Sequence, residues 1–476
     1  MESPLRRPML FLPLSLALAP SAYALSRPQD DGAVVAGVGD AADAAELIPA
    51  AAAGLPPILP GHEPGARGPA DAAAATAASS EGSAREWFGH LPWTSWQRST
   101  GDWAGARSAL ETAGIDFNGS IVSEWSDVFS GGEGDASAFR HLVDLNVAFD
   151  LGTLVGLERA SVFVDFQTGD TGVGGLLHGG YQAYSNIALD GSITQVSQLW
   201  YEQWFAGDAV RIKVGKVDAN AEFAYISSAG GFIHASAGFT PAITAFPTYP
   251  NPAFGVNLFV YPCEGAYVGA AVYDGSATVD GQRSGALGPG DFLGDDQSDD
   301  WFVIGEAGYT IAALGPLDST RFALGAWWHS GDFATFSGGT EDGTSGFYAL
   351  AETRAWRPAG ASQADADDTR GLWFFLQYGG ADPSVSAVER QFGAGVSLEG
   401  TFAHRDGDSL GAYLSVVDFT DEPAAALGDS EWSLELYYDI EVTHGVHLKP
   451  DLQWYVNPAG GGDDALVGTL RVTIAF

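Results

Sequence analysis

The chain has 476 residues, with 60 acidic side chains against 21 basic ones and a net charge of −39. That balance excludes a nucleic-acid partner, because phosphate binding needs clustered Lys and Arg. The single Cys263 excludes an internal disulfide framework, and the length exceeds what one soluble core usually organises.

Arg6 and Arg7 precede an apolar run from Met9 to Ala19, and Ala22-Tyr23-Ala24 follows. A charged start, a short apolar stretch and an Ala-x-Ala site predict a secretory signal peptide over 1–24, cleaved after Ala24. Residues 25–85 are Ala, Gly, Pro and Asp with almost no aromatics. Such a composition buries too little surface to offset its ordering entropy, so a disordered linker is expected there. Its Gly37-Val38-Gly39-Asp40 is a loose nucleotide-type pattern with no strand before it, and carries no function.

Composition changes at Trp87-Phe88. Over 86–114 the expectation is a short periplasmic helix segment. Asp102 is placed to cap a helix of about three turns and Gly114 to end it. Trp103, Ala106 and Leu110 would then share one face.

From Ile115 to Phe476 polar and apolar residues alternate between Gly-rich breaks, as on a strand with one wet and one apolar face. Strands are predicted at 116–129, 140–150, 161–167, 210–214, 256–261, 267–273, 301–310, 321–328, 373–378, 391–398 and 410–419. The last stretch is the clearest. Trp432, Leu434, Leu436, Ile440 and Val442 oppose Glu431, Ser433, Glu435, Asp439 and Glu441; two more such strands follow, ending at Phe476. Strands of ~10 residues suffice to cross a bilayer at a tilt, and glycines suit the tight turns between them. Burying Glu435, Asp439 and Glu441 in hydrocarbon would cost roughly 2 kcal/mol or more each, so they face a water-filled lumen and the apolar face points out. The fold expected is all-β: a transmembrane antiparallel β-barrel over 115–476, after the short helix and the linker.

Gly101-Asp102-Trp103-Ala104-Gly105-Ala106-Arg107, followed by Leu110 and Gly114-Ile115-Asp116, resembles the opening motif of the carbohydrate-selective porins, the OprB family. Leu448-Lys449-Pro450-Asp451-Leu452-Gln453-Trp454-Tyr455-Val456-Asn457-Pro458 resembles that family's penultimate strand and turn, and Leu199–Gln203, Val214–Asp218 and Ala253–Val256 also look familial. Ala104 stands where the family usually carries glycine, a change expected to be mild in a helix. The resemblance implies about sixteen strands, somewhat more than alternation reveals. It also implies an outer-membrane location and passive diffusion of mono- and oligosaccharides, with monomeric as well as trimeric pores compatible with it.

A sugar channel needs planar donors and acceptors for hydroxyls and aromatic faces for the C–H side of the ring. Candidate lumenal residues are Glu124, Arg140, Asp144, Trp200, Glu202, Arg211, Lys213, Glu435, Asp439, Lys449, Asp451, Gln453 and Arg471, with Trp204 as a second aromatic platform. A loop folded into the lumen is expected to set the pore radius. Expected partners are small sugars, outer-membrane lipid and lipopolysaccharide, and the barrel assembly machinery through the strand ending in Phe476. No cofactor or metal motif is evident. The acidic runs 295–300 and 365–368 read as solvated loop charge, without a diagnostic cation-ligand spacing. A general or cation-preferring porin is the alternative, motivated by the acid surplus. A barrel hydrolase is a weaker one: neither Gly-x-Ser-x-Gly nor His-Glu-x-x-His occurs, and His444 and His447 lie at a hairpin.

Overall fold

The computed structural model describes residues 92–96, 98–132, 136–170, 175–188, 191–275, 300–315, 317–358, 368–400, 402 and 404–476. The expected leader over 1–24, the linker over 25–85, the start of the 86–114 segment, the run 295–299 and most of 365–368 lie outside the described residues.

The strands are β1 (Ile115–Ser130), β2 (Ser137–Asp150), β3 (Ala160–Asp170), β4 (Ser192–Phe205), β5 (Val210–Val217), β6 (Ala253–Cys263), β7 (Ala266–Asp274) and β8 (Trp301–Leu314). They continue as β9 (Leu317–Ala334), β10 (Thr340–Trp356), β11 (Gly371–Ala381), β12 (Val388–Glu399), β13 (Ser409–Phe419), β14 (Ser430–Thr443), β15 (Val446–Val456) and β16 (Ala465–Ala475). Each pairs with the next, and β1 pairs antiparallel with β16, so the sheet closes. Closure leaves no open edge, as hydrocarbon requires of any spanning sheet. Among the described residues no helix is long and apolar enough to cross a membrane.

The alternation holds. On β14 Trp432, Leu434 and Leu436 are exposed, while Glu431, Ser433, Glu435 and Tyr437 are buried. Aromatics gather on the outer face near the strand ends, Trp125, Phe139, Trp328 and Trp454 at one rim and Phe205, Phe322 and Trp356 at the other. Between them lie aliphatics such as Leu145, Leu324 and Leu436. This is the outer belt of a lipid-embedded barrel.

Alternation misses β4 and β10. In β4 a register shift lets Asp165 pair with Gln198 and Phe166 with Val196. Ser197 is the extra residue of a bulge, both Ser197 and Gln198 are buried, and the parity flips there. In β10 the bulky Tyr348 and Leu350 point inward and Ala349 and Ala351 lie on the other face, which inverts the apolar contrast.

The core sits inside the barrel. The connection between β5 and β6, residues 218–252, turns inward and carries Phe223, Phe232, Phe239 and Phe246 into one buried cluster with Phe259, Phe302, Phe375 and Tyr437 of the wall. Ring centroids lie 5.2 Å apart for Phe223–Phe259 and 4.9 Å for Phe232–Tyr437. Glycine faces many of these rings across the strands: Tyr348 is opposite Gly325, and Tyr267 opposite Gly308. A Cβ at Gly325 would stand 2.1 Å from the Tyr348 ring and one at Gly308 2.3 Å from that of Tyr267. Glycines expected in turns thus also serve as seats for aromatic side chains within the wall.

The amino-terminal segment departs from its expectation. The helix α1 covers Ala106–Thr112, seven residues, with Gly105 rather than Asp102 as its N-cap. Asp102 instead accepts from the backbone N–H of Ser108 at 2.9 Å and from its hydroxyl at 2.7 Å. Trp103 and Ala104 precede the helix with positive φ, 50° and 63°, so Trp103 does not share a helical face with Ala106 and Leu110. Gly114, with φ 87°, ends the segment as expected. The Ala104 substitution is therefore not a helix-interior change: it occupies the left-handed region, at about 1–2 kcal/mol for a residue with a Cβ.

Ala104→Gly is expected to stabilise α1 by about 1 kcal/mol. Hydrogen exchange of the Ala106–Thr112 amides should slow by roughly fivefold, with the unfolding of the barrel itself unchanged.

Candidate functional site: charged clusters on the lumenal wall

Among the described residues, four groups of charged side chains on the lumenal wall meet the inward segments, and every sequence candidate but Asp144 falls into three of them. At the seam, β1, β2 and β16 bring together Glu124, Arg140 and Arg471, whose side chains are at most 3% exposed. Arg140 Nη1 donates to Glu124 Oε1 at 3.1 Å, and Arg471 Nε and Nη2 donate to Oε2 at 2.9 and 2.7 Å. Ser185 Oγ also donates to Glu124, and Arg471 Nη2 donates to Asn186 Oδ1 at 2.7 Å. These partners come from residues 175–188, a second inward segment, between β3 and β4. The cluster clamps that segment to the wall.

On β4 and β5 the candidates Glu202, Arg211 and Lys213 meet Glu222 of the 218–252 segment, a partner not anticipated. Arg211 and Lys213 each pair with both Glu202 and Glu222, at 3.5 and 3.3 Å to Glu202. Trp200 is stacked on Phe163 with centroids 5.0 Å apart and is covered by the Lys213 ammonium at 4.0 Å. Trp204 stacks on Tyr261 at 5.4 Å, donates to Glu202 at 2.9 Å and remains partly exposed. Of the two tryptophans, only Trp204 offers substantial accessible surface.

The third group lies on β14 and β15. Glu435 accepts from the backbone N–H groups of Ile233 at 2.6 Å and His234 at 3.2 Å. Lys449 pairs with Asp439 at 3.2 Å, donates to the Gly231 carbonyl at 2.6 Å, and lies 4.9 Å from the Tyr437 ring centroid. Gln453 donates to the Tyr184 carbonyl at 2.8 Å and to Asp451 at 3.0 Å. Asp144, the remaining candidate, joins none of these groups.

The fourth group was not anticipated. Glu306 on β8 accepts from Tyr267 at 2.6 Å, Tyr348 at 2.8 Å and the Ala224 backbone N–H at 2.9 Å. Glu352 on β10 accepts from Arg321 at 2.9 Å and from the Ser227 and Ser228 hydroxyls at 2.8 and 3.0 Å. The parity of the strands predicted at 301–310 and 321–328 was the signal that places Glu306 and Arg321 inward. Glu352 sits on the unread β10.

Charge-assisted acceptors of this kind are stronger than neutral ones, and they fix two inward segments that have little secondary structure of their own. Accessible polar surface remains between them, in the half of the barrel nearer Ile115 and Ala475. There Arg211, Arg321, Lys449 and Asp439 keep side-chain exposures of 12, 14, 11 and 17%, beside Trp204 and Tyr261.

Two buried histidines pack with the inward segments. Desolvation pulls His178 and His234 down to about 3, so both are neutral at physiological pH.

A family model described as carbohydrate-selective porin, OprB family, matches residues 137–476. Porin B of Pseudomonas aeruginosa is 23% identical over 426 residues, spanning 79% of this chain and 90% of that protein. The putative porin QuiX of Acinetobacter baylyi is 21% identical over 424 residues, spanning 79% and 92% respectively. Among solved structures, the high-pH structure of Pseudomonas putida OprB matches with a TM-score of 0.70 at 17% identity, over 81% of this chain and 100% of that one. Its low-pH structure gives 0.53 at 16% identity, over 80% and 99%. The opening motif from Gly101 to Asp116 precedes the span matched by the family model, and the Leu448–Pro458 motif lies within it.

Glu124→Gln is expected to lower the unfolding free energy by about 3 kcal/mol, because it leaves two buried guanidinium groups without their counter-charge; urea unfolding in detergent measures this. The histidines set a pH dependence. An unfolded histidine titrates near 6.5, so below that value the unfolded segment binds protons that the folded one refuses. Packing of the inward segments is at full strength above about pH 6.5 and weakens as pH falls toward 3. Amide exchange across 175–188 and 231–238, corrected for intrinsic rates, should show greater opening at about pH 4.5 than at about pH 7.5.

Proposed function

The chain belongs to the carbohydrate-selective porin family, OprB, and from that premise we propose that it conducts small neutral sugars passively through the lumen of an outer-membrane barrel. The observation that carries the reading is the partly accessible array in one half of the lumen. Arg211 with Glu202, Arg321 with Glu352, and Lys449 with Asp439 offer paired donors and acceptors from three sectors of the wall. The stacked Trp204 and Tyr261 supply an aromatic surface beside the first pair. A sugar hydroxyl exchanges water for such pairs at little net cost, and a pyranose C–H face covers an aromatic ring.

The first two clusters lend the cation-preferring alternative little support. Glu124 is balanced by Arg140 and Arg471, Glu202 and Glu222 by Arg211 and Lys213, and Glu435 is held by backbone N–H groups. In those two clusters the surplus behind the net charge of −39 is offset by bases on the same wall.

The same proposal includes export by residues 1–24, outer-membrane insertion with lipid and lipopolysaccharide on the aromatic-rimmed outer face, and recognition by the barrel assembly machinery through the strand ending in Phe476. The linker over 25–85 carries no part of the transport. The residues that meet sugar directly are Trp204, Glu202, Arg211, Lys449 and Asp439, whereas Glu124, Arg140, Arg471, Glu435 and Gln453 hold the segments that shape the passage, with Asp451 accepting from Gln453.

In planar bilayers, mono- and disaccharides should block the current in a saturable manner, and liposomes should swell with sugars faster than with amino acids of similar size. Trp204→Ala should weaken the block by about three- to tenfold, the worth of one aromatic contact. A current indifferent to sugars but strongly cation-selective would sink the proposal.

A further inference from the structure

Asp144 is the candidate that found no place in the charged clusters, and its surroundings differ from theirs. The register of β2 and β3 sets Asp144 opposite Gln167 and Asn146 opposite Asp165. Four oxygen-bearing side chains thereby form a two-by-two block on one face of the sheet. Asp165 is 2% exposed and Asn146 5%. The two carboxyl groups are diagonal neighbours across β2 and β3 on that face. Lys216, on nearby β5, is directed to the Val196 carbonyl at 3.0 Å and to Gln195 at 3.4 Å.

Inside the block, Gln167 Nε2 donates to Asp144 Oδ2 at 3.0 Å, Asn146 Nδ2 donates to Asp144 Oδ1 at 3.4 Å, and Ser197 Oγ donates to Asp165 Oδ2. Three acceptors remain buried without a donor: Asp165 Oδ1, Asn146 Oδ1 and Gln167 Oε1. Buried acceptors are normally satisfied, and two neighbouring carboxylates resist ionising together without a positive charge beside them. The hydrogen bonds to this pair come from amides and a hydroxyl.

We propose that Asp144, Asn146, Asp165 and Gln167 form a calcium-binding site on the wall of the barrel. The donor set is hard oxygen throughout, two carboxylates and two amides, and contains no His or Cys; that chemistry selects an alkaline-earth cation over zinc or copper. Calcium is the better fit than magnesium because it accepts irregular, mixed carboxylate–amide coordination, whereas magnesium demands a near-ideal octahedron and keeps its waters. Either amide can turn over to present oxygen in place of its NH2. The bound ion would cross-link β2 to β3 and cancel the charge of the carboxylate pair beside the Glu124 cluster.

The test uses the full-length protein, purified in detergent and stripped with EGTA at neutral pH. Calorimetric titration with CaCl2 and the thermal midpoint with and without calcium are measured for the wild type, Asp165→Asn, Asn146→Ala and the exposed-loop control Asp463→Asn. The expected result is a midpoint raised by calcium more than by equal magnesium, and a binding event retained in the control and lost in Asp165→Asn. Asn146→Ala, which removes an oxygen but no charge, should weaken calcium affinity about tenfold. That variant and the wild-type midpoint decide the matter even if Asp165→Asn does not fold. The proposal is overturned if the wild-type midpoint ignores calcium, the outcome for a carboxyl pair that shares a proton. It is equally overturned if the binding event persists undiminished in Asp165→Asn and Asn146→Ala, the outcome for adventitious binding to surface acids.

Discussion

The interior of this barrel depends on one interaction, repeated: a carboxylate on the wall accepting hydrogen bonds from an inward-folded segment. Glu435 holds Ile233 and His234, Glu306 holds Ala224, Glu352 holds Ser227 and Ser228, and Glu431 holds Tyr181 and Gln182. Segments with only short helical turns expose backbone N–H groups that must be satisfied once water is displaced. An ionised acceptor fixed on a rigid strand does this with more strength than a neutral one. The acidity of the sequence thus has a structural use inside the wall, apart from any attraction of solutes.

Aromatic packing completes what the carboxylates begin. A barrel wide enough for sixteen strands leaves an interior that wall side chains alone do not fill. Here Phe223, Phe232, Phe239 and Phe246 reach outward from the inward segment toward wall rings, and three of those, Phe259, Phe375 and Tyr437, find room because glycine lies opposite them on the neighbouring strand. Polar pins and apolar packing therefore act on the same stretch of chain. The passage that remains is what these two kinds of contact leave uncovered.

Much of this was legible in the sequence, and the parts that were not have identifiable causes. Period-two alternation places β14, β15 and β16 and their lumenal faces, because each has large apolar residues on one side and charges on the other. It fails at β4, where the bulge at Ser197 breaks parity, and at β10, where the bulky residues face inward. Of the candidate residues, Glu124, Arg140 and Arg471 do meet, as do Glu202, Arg211 and Lys213. Their common partners, Ser185 and Asn186 in one case and Glu222 in the other, lie on irregular segments whose course no periodicity encodes. Ala104 was misjudged because the family's glycine there reads as a helical position, whereas the backbone is left-handed.

The pins also impose an order of assembly. Ile233 and Glu435 are 202 positions apart along the chain, and Gln182 and Glu431 are 249 apart. Each contact closes a very long loop, so it offers nothing to an incomplete chain whose later strands are not yet in register. The cylinder must therefore be raised first and furnished afterwards, and a barrel caught midway would be a wide, leaky hole rather than a narrow sieve.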